Sequence, residues 1–135
     1  MATLNAPSKD IADYLDADSD LDLAIGTNLF RSTMPPTPDL CACLYDSPGE
    51  APDSHLDYKR PGLQIVVRGV AGGYDAAHTL AQQLNDAIDG LANVTISGSR
   101  YIGIWATTDV GAVGQDDNNR PLVSVNFRIH RTASS

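Results

Sequence analysis

Residues 122–130, with the sequence LVSVNFRIH, give the clearest signal for the fold class of this chain. Apolar and polar side chains alternate along this stretch: Val123, Val125, Phe127 and Ile129 on one side, Ser124, Asn126, Arg128 and His130 on the other. Successive side chains of a β-strand point to opposite faces of the sheet. The apolar set therefore predicts a face buried against the core, and the polar set a face exposed to solvent. Such a strand is typical of an antiparallel sheet in an α+β domain.

Four further strands are predicted upstream, over residues 28–34, 39–45, 63–70 and 101–107. Three prolines, Pro35, Pro36 and Pro38, end the first of them because proline cannot continue a helix or a central strand. Residues 46–62 are polar and rich in Pro and Gly, which predicts a long loop. Residues 109–121 are predicted to be a second, turn-rich loop.

Two helices complete the predicted fold. Residues 8–15 form a short amphipathic helix with Ser8 as its cap, and an apolar stripe at helical spacing extends from Ala77 to Leu91, with Asp75 as the cap. The prediction is a single α+β domain over residues 1–135 with flexible ends at 1–7 and 132–135. Its sheet is mixed, mostly antiparallel and of about five strands, with both helices packed on one face.

Composition excludes several classes of function. The chain has 135 residues, 42% of them hydrophobic, which is enough for one core. It has 17 acidic against 9 basic residues, a formal net charge of −8, so a protein whose main task is to grip DNA is not expected. Neither a signal peptide nor a membrane-spanning run is recognised.

No cofactor or metal site is predicted. Cys41 and Cys43 alternate on one strand, where a disulfide fits poorly, so they are interpreted as reduced structural thiols of an intracellular protein. The histidines lack ligand spacing. The acidic run at residues 16–22 lacks the glycine and the final glutamate of a calcium loop, which favours a solvated turn.

No catalytic motif is present either, so the chain is predicted not to be an enzyme. It has no GxSxG sequence, and the glycines of residues 69–73 lack the lysine of a phosphate-binding loop. The chain is therefore expected to be a structural or interaction protein that acts through contacts of its surface with other molecules. If the third and fifth predicted strands are neighbours, they form one polar sheet face: Gln64, Arg68, Asn126, Arg128 and His130.

The order of several short motifs carries a family resemblance. The motifs are GTNLF (26–30), MP (34–35), PD (38–39), RPGLQIVVRG (60–69), the helix over 74–91, YI (101–102), GQDD (114–117), RP (120–121) and NF (126–127) before Arg131. Over residues 8–131 this order resembles the minor capsid and tail-completion proteins of long-tailed bacteriophages, including the tail terminators.

This resemblance implies a non-enzymatic virion protein that forms a ring, commonly hexameric, at the head-proximal end of the tail tube. Such a ring stops tube polymerisation and joins the tail to the neck. The implied partners are other copies of the chain, the tail tube protein and the head–tail connector proteins, with DNA passing through the lumen without specific binding. The implied location is the virion, after assembly in the host cytoplasm.

Five charged residues match family-like positions and are predicted to lie at interfaces: Arg68, Asp116, Asp117, Arg120 and Arg128. A salt link between Arg120 and an aspartate of the same loop is an equally simple interpretation. The loops at 46–62 and 109–121 are expected to contact neighbouring subunits or the tube. Two alternatives stay open: a head-side connector or minor capsid protein, and a small non-viral binding domain.

Overall fold

The computed structural model describes residues 4–53 and 58–133 and shows an α+β fold. The elements, in chain order, are α1 (Pro7–Asp16), β1 (Leu29–Arg31), β2 (Cys41–Asp53), β3 (Tyr58–Arg68), α2 (Tyr74–Ile88), β4 (Ala92–Ile96), β5 (Ser99–Ala106), β6 (Gly111–Gln115) and β7 (Pro121–Ala133).

All the strands form one mixed sheet in the order β1-β2-β3-β7-β5-β4, and β6 also pairs with β7. The β1–β2 pairing is parallel and the other pairings are antiparallel. The condition stated for a shared polar sheet face is met, because β3 pairs with β7 and Gln64 lies opposite Asn126. β7 is the central strand: β3 lies along one side of it, and β5 and β6 share the other.

The predicted long loop at residues 46–62 is wrong. β2 continues to Asp53 and β3 begins at Tyr58, so most of this range forms an antiparallel pair; residues 54–57 lie outside the described residues. Pro48 and Pro52 are tolerated because β2 has β3 as its only described strand neighbour beyond Leu44. Gly49 has φ +66°, and a side chain there would collide with the carbonyl of Arg60.

The estimate of about five strands is too low, since the sheet has seven strands among the described residues. β4 forms a hairpin with β5 through Ser97 and Gly98, and both turn residues have positive φ. β6 lies within the predicted loop at 109–121. Its five residues include two glycines and a bulge, so no alternation identifies it in the sequence.

Both helices pack on one face of the sheet, as predicted, and we call this the inner face. The apolar set of β7 lies there, buried with side chains of α1 and α2 in one core: Ile11, Leu15, Ala77, Leu84, Val123, Val125 and Ile129 are among its members. The opposite, outer face carries no helix. Neither described helix is long and apolar enough to cross a membrane.

The predicted caps are wrong in detail. Ala6 is the N-cap of α1, and the carboxylate of Asp46 in β2 accepts hydrogen bonds from the Ser8 backbone N–H (2.9 Å) and hydroxyl (2.7 Å). This remote carboxylate stabilises the helix N-terminus in place of a local cap. Gly73, not Asp75, is the N-cap of α2. Of the ends predicted to be flexible, residues 1–3 and 134–135 lie outside the described residues.

Candidate interaction surfaces

Arg68 holds a proline-rich segment, residues 33–40, against the outer face of the sheet. It is the last residue of β3, it is 4% exposed, and its guanidinium donates only to backbone carbonyls. The acceptors are the oxygens of Pro35 (2.7 Å), Pro38 (2.7 Å) and Asp39 (3.1 Å). These bonds satisfy carbonyls of a segment whose prolines have no N–H for a regular ladder. We call residues 33–40 the proline segment.

Arg120 joins the proline segment to the turn before β7. Its guanidinium donates to the Pro36 carbonyl (2.7 Å), to Asp39 Oδ1 (3.0 Å) and to Asp116 Oδ2 (2.7 Å). Asp116 Oδ1 in turn accepts the backbone N–H groups of Asn118 and Arg120. Burial alone would raise the pKa of the Asp116 carboxyl, but these hydrogen bonds and the positive charge of Arg120 together outweigh it and lower the pKa. The salt link within the loop, one of the two sequence interpretations of Arg120, is therefore present.

The five predicted interface residues thus occupy different environments. Arg68 and Arg120 are buried and use their donors within the chain, and Asp116 is half-buried beside Arg120. Asp117 is exposed at the turn, and Arg128 is exposed near the other end of the outer face. The structure therefore brings Arg68, Asp116, Asp117 and Arg120 to one end of the sheet and leaves Arg128 apart from them.

A second feature of the outer face is a cluster of aromatic and basic side chains. Sequence reasoning had placed Arg128 and His130 on this face but missed the other members of the cluster. Trp105 is 38% exposed, and its ring contacts that of His130 with 4.8 Å between centroids. Tyr58 hydrogen-bonds His130 Nδ1 from the other side. Burial lowers the pKa of the His130 imidazole below its ordinary value. The one tryptophan of the chain, in an alternating strand, was the signal for this site.

Two arginines share one carboxylate beside these rings. Arg128 Nε lies 2.9 Å from Glu50 Oε1, and Arg60 Nη1 lies 3.7 Å from Glu50 Oε2. Among the described side chains at this place, two arginines outnumber one glutamate, in a chain that is strongly acidic overall. We call these six residues the aromatic–basic patch: Glu50, Tyr58, Arg60, Trp105, Arg128 and His130.

A groove on the helix side has the opposite character. It lies between α2, the turn after α1 and the start of β2, with a volume of about 450 Å³. Its rim carries the carboxylates of Asp22 and Asp75, and neither forms an ion pair within residues 4–53 and 58–133. Its floor is apolar: Leu21, Leu23, Leu40 and Leu80. We call this feature the acidic groove.

The remaining buried polar cluster attaches α1 to the sheet. Asp10 is fully buried, and its Oδ2 accepts from the Tyr101 hydroxyl (2.6 Å) and lies 3.6 Å from Arg131 Nη1. Burial, together with the nearby carboxylate of Asp10, raises the pKa of the Tyr101 phenol. Arg131 also donates to the Asn5 carbonyl (2.7 Å). This cluster attaches the helix to the sheet through charged and polar contacts.

The two cysteines are buried, and two aspartates of the acidic run accept backbone hydrogen bonds. Cys41 and Cys43 are free and buried, and burial raises the pKa of both thiols. In the acidic run, the Asp16 and Asp18 carboxylates accept the backbone N–H groups of Ile25 and Asp20. Among the residues that the structure describes, no group of three or more His, Cys, Asp or Glu side chains is arranged to hold a metal ion.

Comparison with known proteins agrees with the resemblance in the motifs. A family model described as bacteriophage tail terminator protein matches residues 10–133. A chain in a solved structure described as the virion of a native gene transfer agent particle has a TM-score of 0.74 and 22% identity, with 95% of this chain and 96% of that chain covered.

A second solved structure has a TM-score of 0.51 and 16% identity, with 92% of this chain and 90% of that chain covered. At these identities the two structures share the fold with this chain. No curated protein matches the sequence.

Proposed function

The chain belongs to the bacteriophage tail terminator family, and from this premise we propose that it forms a ring that ends the polymerisation of a tail tube and joins the tail to the head connector. The family consists of structural proteins of phage tails, so the protein is a virion component. The match across residues 10–133 is the observation that carries the proposal. Assembly in the host cytoplasm before incorporation is part of the same proposal.

The surface of the chain supports this function. The helices cover only the inner face, while the outer face exposes polar and aromatic side chains. A subunit with unlike faces makes a heterologous contact, and such contacts close into rings when the rotation between subunits permits. A hexamer with different surfaces toward the tube and the connector fits this symmetry. Asp117 and Arg128, the exposed members of the predicted interface set, are proposed to contact neighbouring proteins.

The charge of the chain supports a lumen through which DNA passes. A ring of subunits that each carry a formal charge of −8 repels phosphate groups, so DNA slides without specific binding. We expect that the purified protein does not retard duplex DNA in a gel, either at low or at moderate salt concentration. Retardation that weakens steeply with salt would contradict this part of the proposal.

The proposed function is tested first by mass in solution, using light scattering behind a sizing column over a range of concentrations. We expect a species of about six subunit masses, or a monomer that converts to it as the concentration rises. Electron microscopy of tail tubes with added protein is the second step. Tubes that stop growing and carry a ring at one end support the function; tubes that elongate as before, with no ring, contradict it.

A head-side connector ring is the second candidate. The similar structure is described only as a virion, which a connector protein satisfies as well as a tail protein does. The two candidates differ in their binding partner. A terminator binds isolated tail tubes, whereas a head-side connector binds DNA-filled heads and leaves tubes uncapped.

A further inference from the structure

We propose that the aromatic–basic patch of one subunit docks in the acidic groove of the next copy of the chain. This inference rests on the proposed ring and identifies the two surfaces that meet in it. Both surfaces are present on every subunit and both are open, so each subunit offers the patch to one neighbour and the groove to the other.

The groove is suited to a side chain that is both apolar and cationic. Its apolar floor is partly exposed, since Leu40 remains 39% accessible. The carboxylates of Asp22 and Asp75 have no counter-ion among the described residues. An arginine and an aromatic ring that enter together cover the floor and neutralise the rim.

The patch supplies those groups. Trp105 has 38% of its surface exposed, and aromatic residues and arginine are enriched at the energetic centres of protein interfaces. Among the side chains that the structure describes, Arg60 and Arg128 pair with one carboxylate, that of Glu50, and Arg60 also donates to the Ala51 carbonyl (2.8 Å). Part of the positive charge is therefore available to a second acidic partner. Two copies of a chain of net charge −8 repel each other, and a contact through a local positive surface offsets part of that repulsion.

Four of the seven basic residues outside the patch are poorly placed for this contact. Arg68, Arg120 and Arg131 are buried, and Lys9 pairs with Asp13 at 2.9 Å on its own helix. The patch lies where β3 begins and β7 ends, whereas the groove borders the start of α2, beyond the opposite end of β3. The two surfaces therefore lie at opposite ends and on opposite layers of the subunit.

Two surfaces so placed form a heterologous contact, in which the helix side of one subunit covers the patch end of the next subunit's outer face, away from the proline segment. Repetition of one heterologous contact gives a ring when it closes. The charge complementarity between patch and groove is the reason for choosing a second copy of the chain, and not a tube or connector protein, as the occupant.

The first test uses Trp105 as a reporter, because it is the single tryptophan of the chain. Its emission spectrum and its quenching by acrylamide are measured on the wild-type protein as the concentration increases through ring formation. The expected result is a blue shift and about threefold slower quenching in the ring, since docking removes the indole from water. A ring seen by light scattering with unchanged emission and quenching overturns the inference and leaves the proposed function intact.

The second test reverses one charge on each surface. Asp75→Lys and Arg128→Glu are each expected to weaken ring association about tenfold, because like charges then face each other, and the double variant is expected to restore it. The matched controls are Asp86→Lys, on the same helix outside the groove, and Lys9→Glu, an exposed cation of α1 outside the patch. Both controls should form rings as the wild type does.

The outcomes separate the inference from the function on which it rests. Single reversals that leave the ring unchanged, or a double variant no better than the singles, overturn the patch-to-groove contact. If the wild type is monomeric in solution, the same variants are examined on rings assembled at tail tubes. A protein that forms no ring there either contradicts the proposed function, and the inference fails with it. Circular dichroism of each variant establishes that it is folded.

Discussion

Arg131 and Arg68 are both buried arginines of the central sheet, 6% and 4% exposed, yet their partners differ. Arg131 lies on the inner face beside the carboxylate of Asp10, the Tyr101 hydroxyl and the Asn5 carbonyl. Arg68 lies on the outer face and donates only to carbonyl oxygens of the proline segment. One arginine is paired with a charge, and the other is solvated by backbone dipoles.

The two kinds of partner correspond to two structural roles: the ion pair stabilises the core, and the hydrogen bonds to carbonyls hold a surface segment in place. The Asp10–Arg131 pair joins α1 to β7 across the inner face, so its loss affects the whole fold. The Arg68 contacts shape a segment at the edge of the domain, where water can replace a lost donor. The cost of removing a partner therefore depends on whether it leaves a buried charge or a hydratable carbonyl.

The largest effect is expected from Asp10→Ala. It leaves the guanidinium of Arg131 buried without its carboxylate, which is expected to lower the free energy of unfolding by about 3–5 kcal/mol. Urea denaturation followed by circular dichroism measures this loss. The control is Asp13→Ala, which removes only the exposed pair with Lys9 and is expected to lose about 0.5 kcal/mol or less. Equal losses of stability in the two variants would contradict a larger contribution of the buried Asp10–Arg131 pair than of the exposed Lys9–Asp13 pair.

Arg68→Met tests the other arginine and is expected to lower the free energy of unfolding by about 1–3 kcal/mol. Its effect is also local. Cys41 is the cross-strand partner of Arg68, so release of the proline segment is expected to speed the reaction of the buried thiols with a thiol reagent. Arg100→Met, which changes an exposed arginine, serves as the control. If the thiols of Arg68→Met react no faster than those of this control, Arg68 does not hold the proline segment over them.

Asp46→Ala measures how much the remote cap of α1 contributes to the free energy of unfolding, for comparison with the contribution of Asp10. It removes the acceptor of two hydrogen bonds at the helix N-terminus, and a loss of about 1 kcal/mol is expected. Asp46→Asn keeps one acceptor oxygen and is expected to lose less. Thermal unfolding of the two variants gives the comparison, and a loss equal to that of Asp10→Ala would show that the cap matters as much as the buried pair.

The smallest effect is expected at His130, on the outer face away from both buried arginines. Burial lowers its pKa below the ordinary value of 6.5, so the folded state favours the neutral imidazole. This contribution to stability is complete above pH 6.5 and is lost as the pH falls through the lower pKa of the folded state.

Melting temperature and Trp105 emission between pH 7 and 5 are expected to report this titration, at a midpoint below 6.5. The His130→Phe variant removes it, whereas His78→Phe, on α2, leaves it in place. A midpoint at or above 6.5 in the wild type would contradict the assigned direction.

Much of the inner face was predictable, because periodicity depends on local sequence. The alternation in residues 122–130 identified β7 and its buried side chains, and the stripe from Ala77 identified α2. The strand over residues 47–53 was hidden, since Pro48 and Gly49 are typical of loops and are tolerated only because β2 lacks a second described strand neighbour there.

The surfaces were less predictable because their partners are distant in sequence. Arg120 donates to the carbonyl of Pro36, 84 residues away, and no periodicity encodes such a contact. The family resemblance selected Arg68 and Arg120 without indicating that they are buried. Trp105 was detectable as an isolated aromatic residue, but its neighbours Glu50 and Tyr58 belong to the range predicted to be a loop.

The central position of β7 has a consequence for how the chain folds. β3, β5 and β6 have β7 as their shared partner, so the sheet stays in separate pieces until residues 121–133 are available. Contacts so far apart in sequence slow the search for the native state. Isolated hairpins are marginally stable, so we expect the β2–β3 and β4–β5 pairs to become stable only when β7 joins them in one sheet.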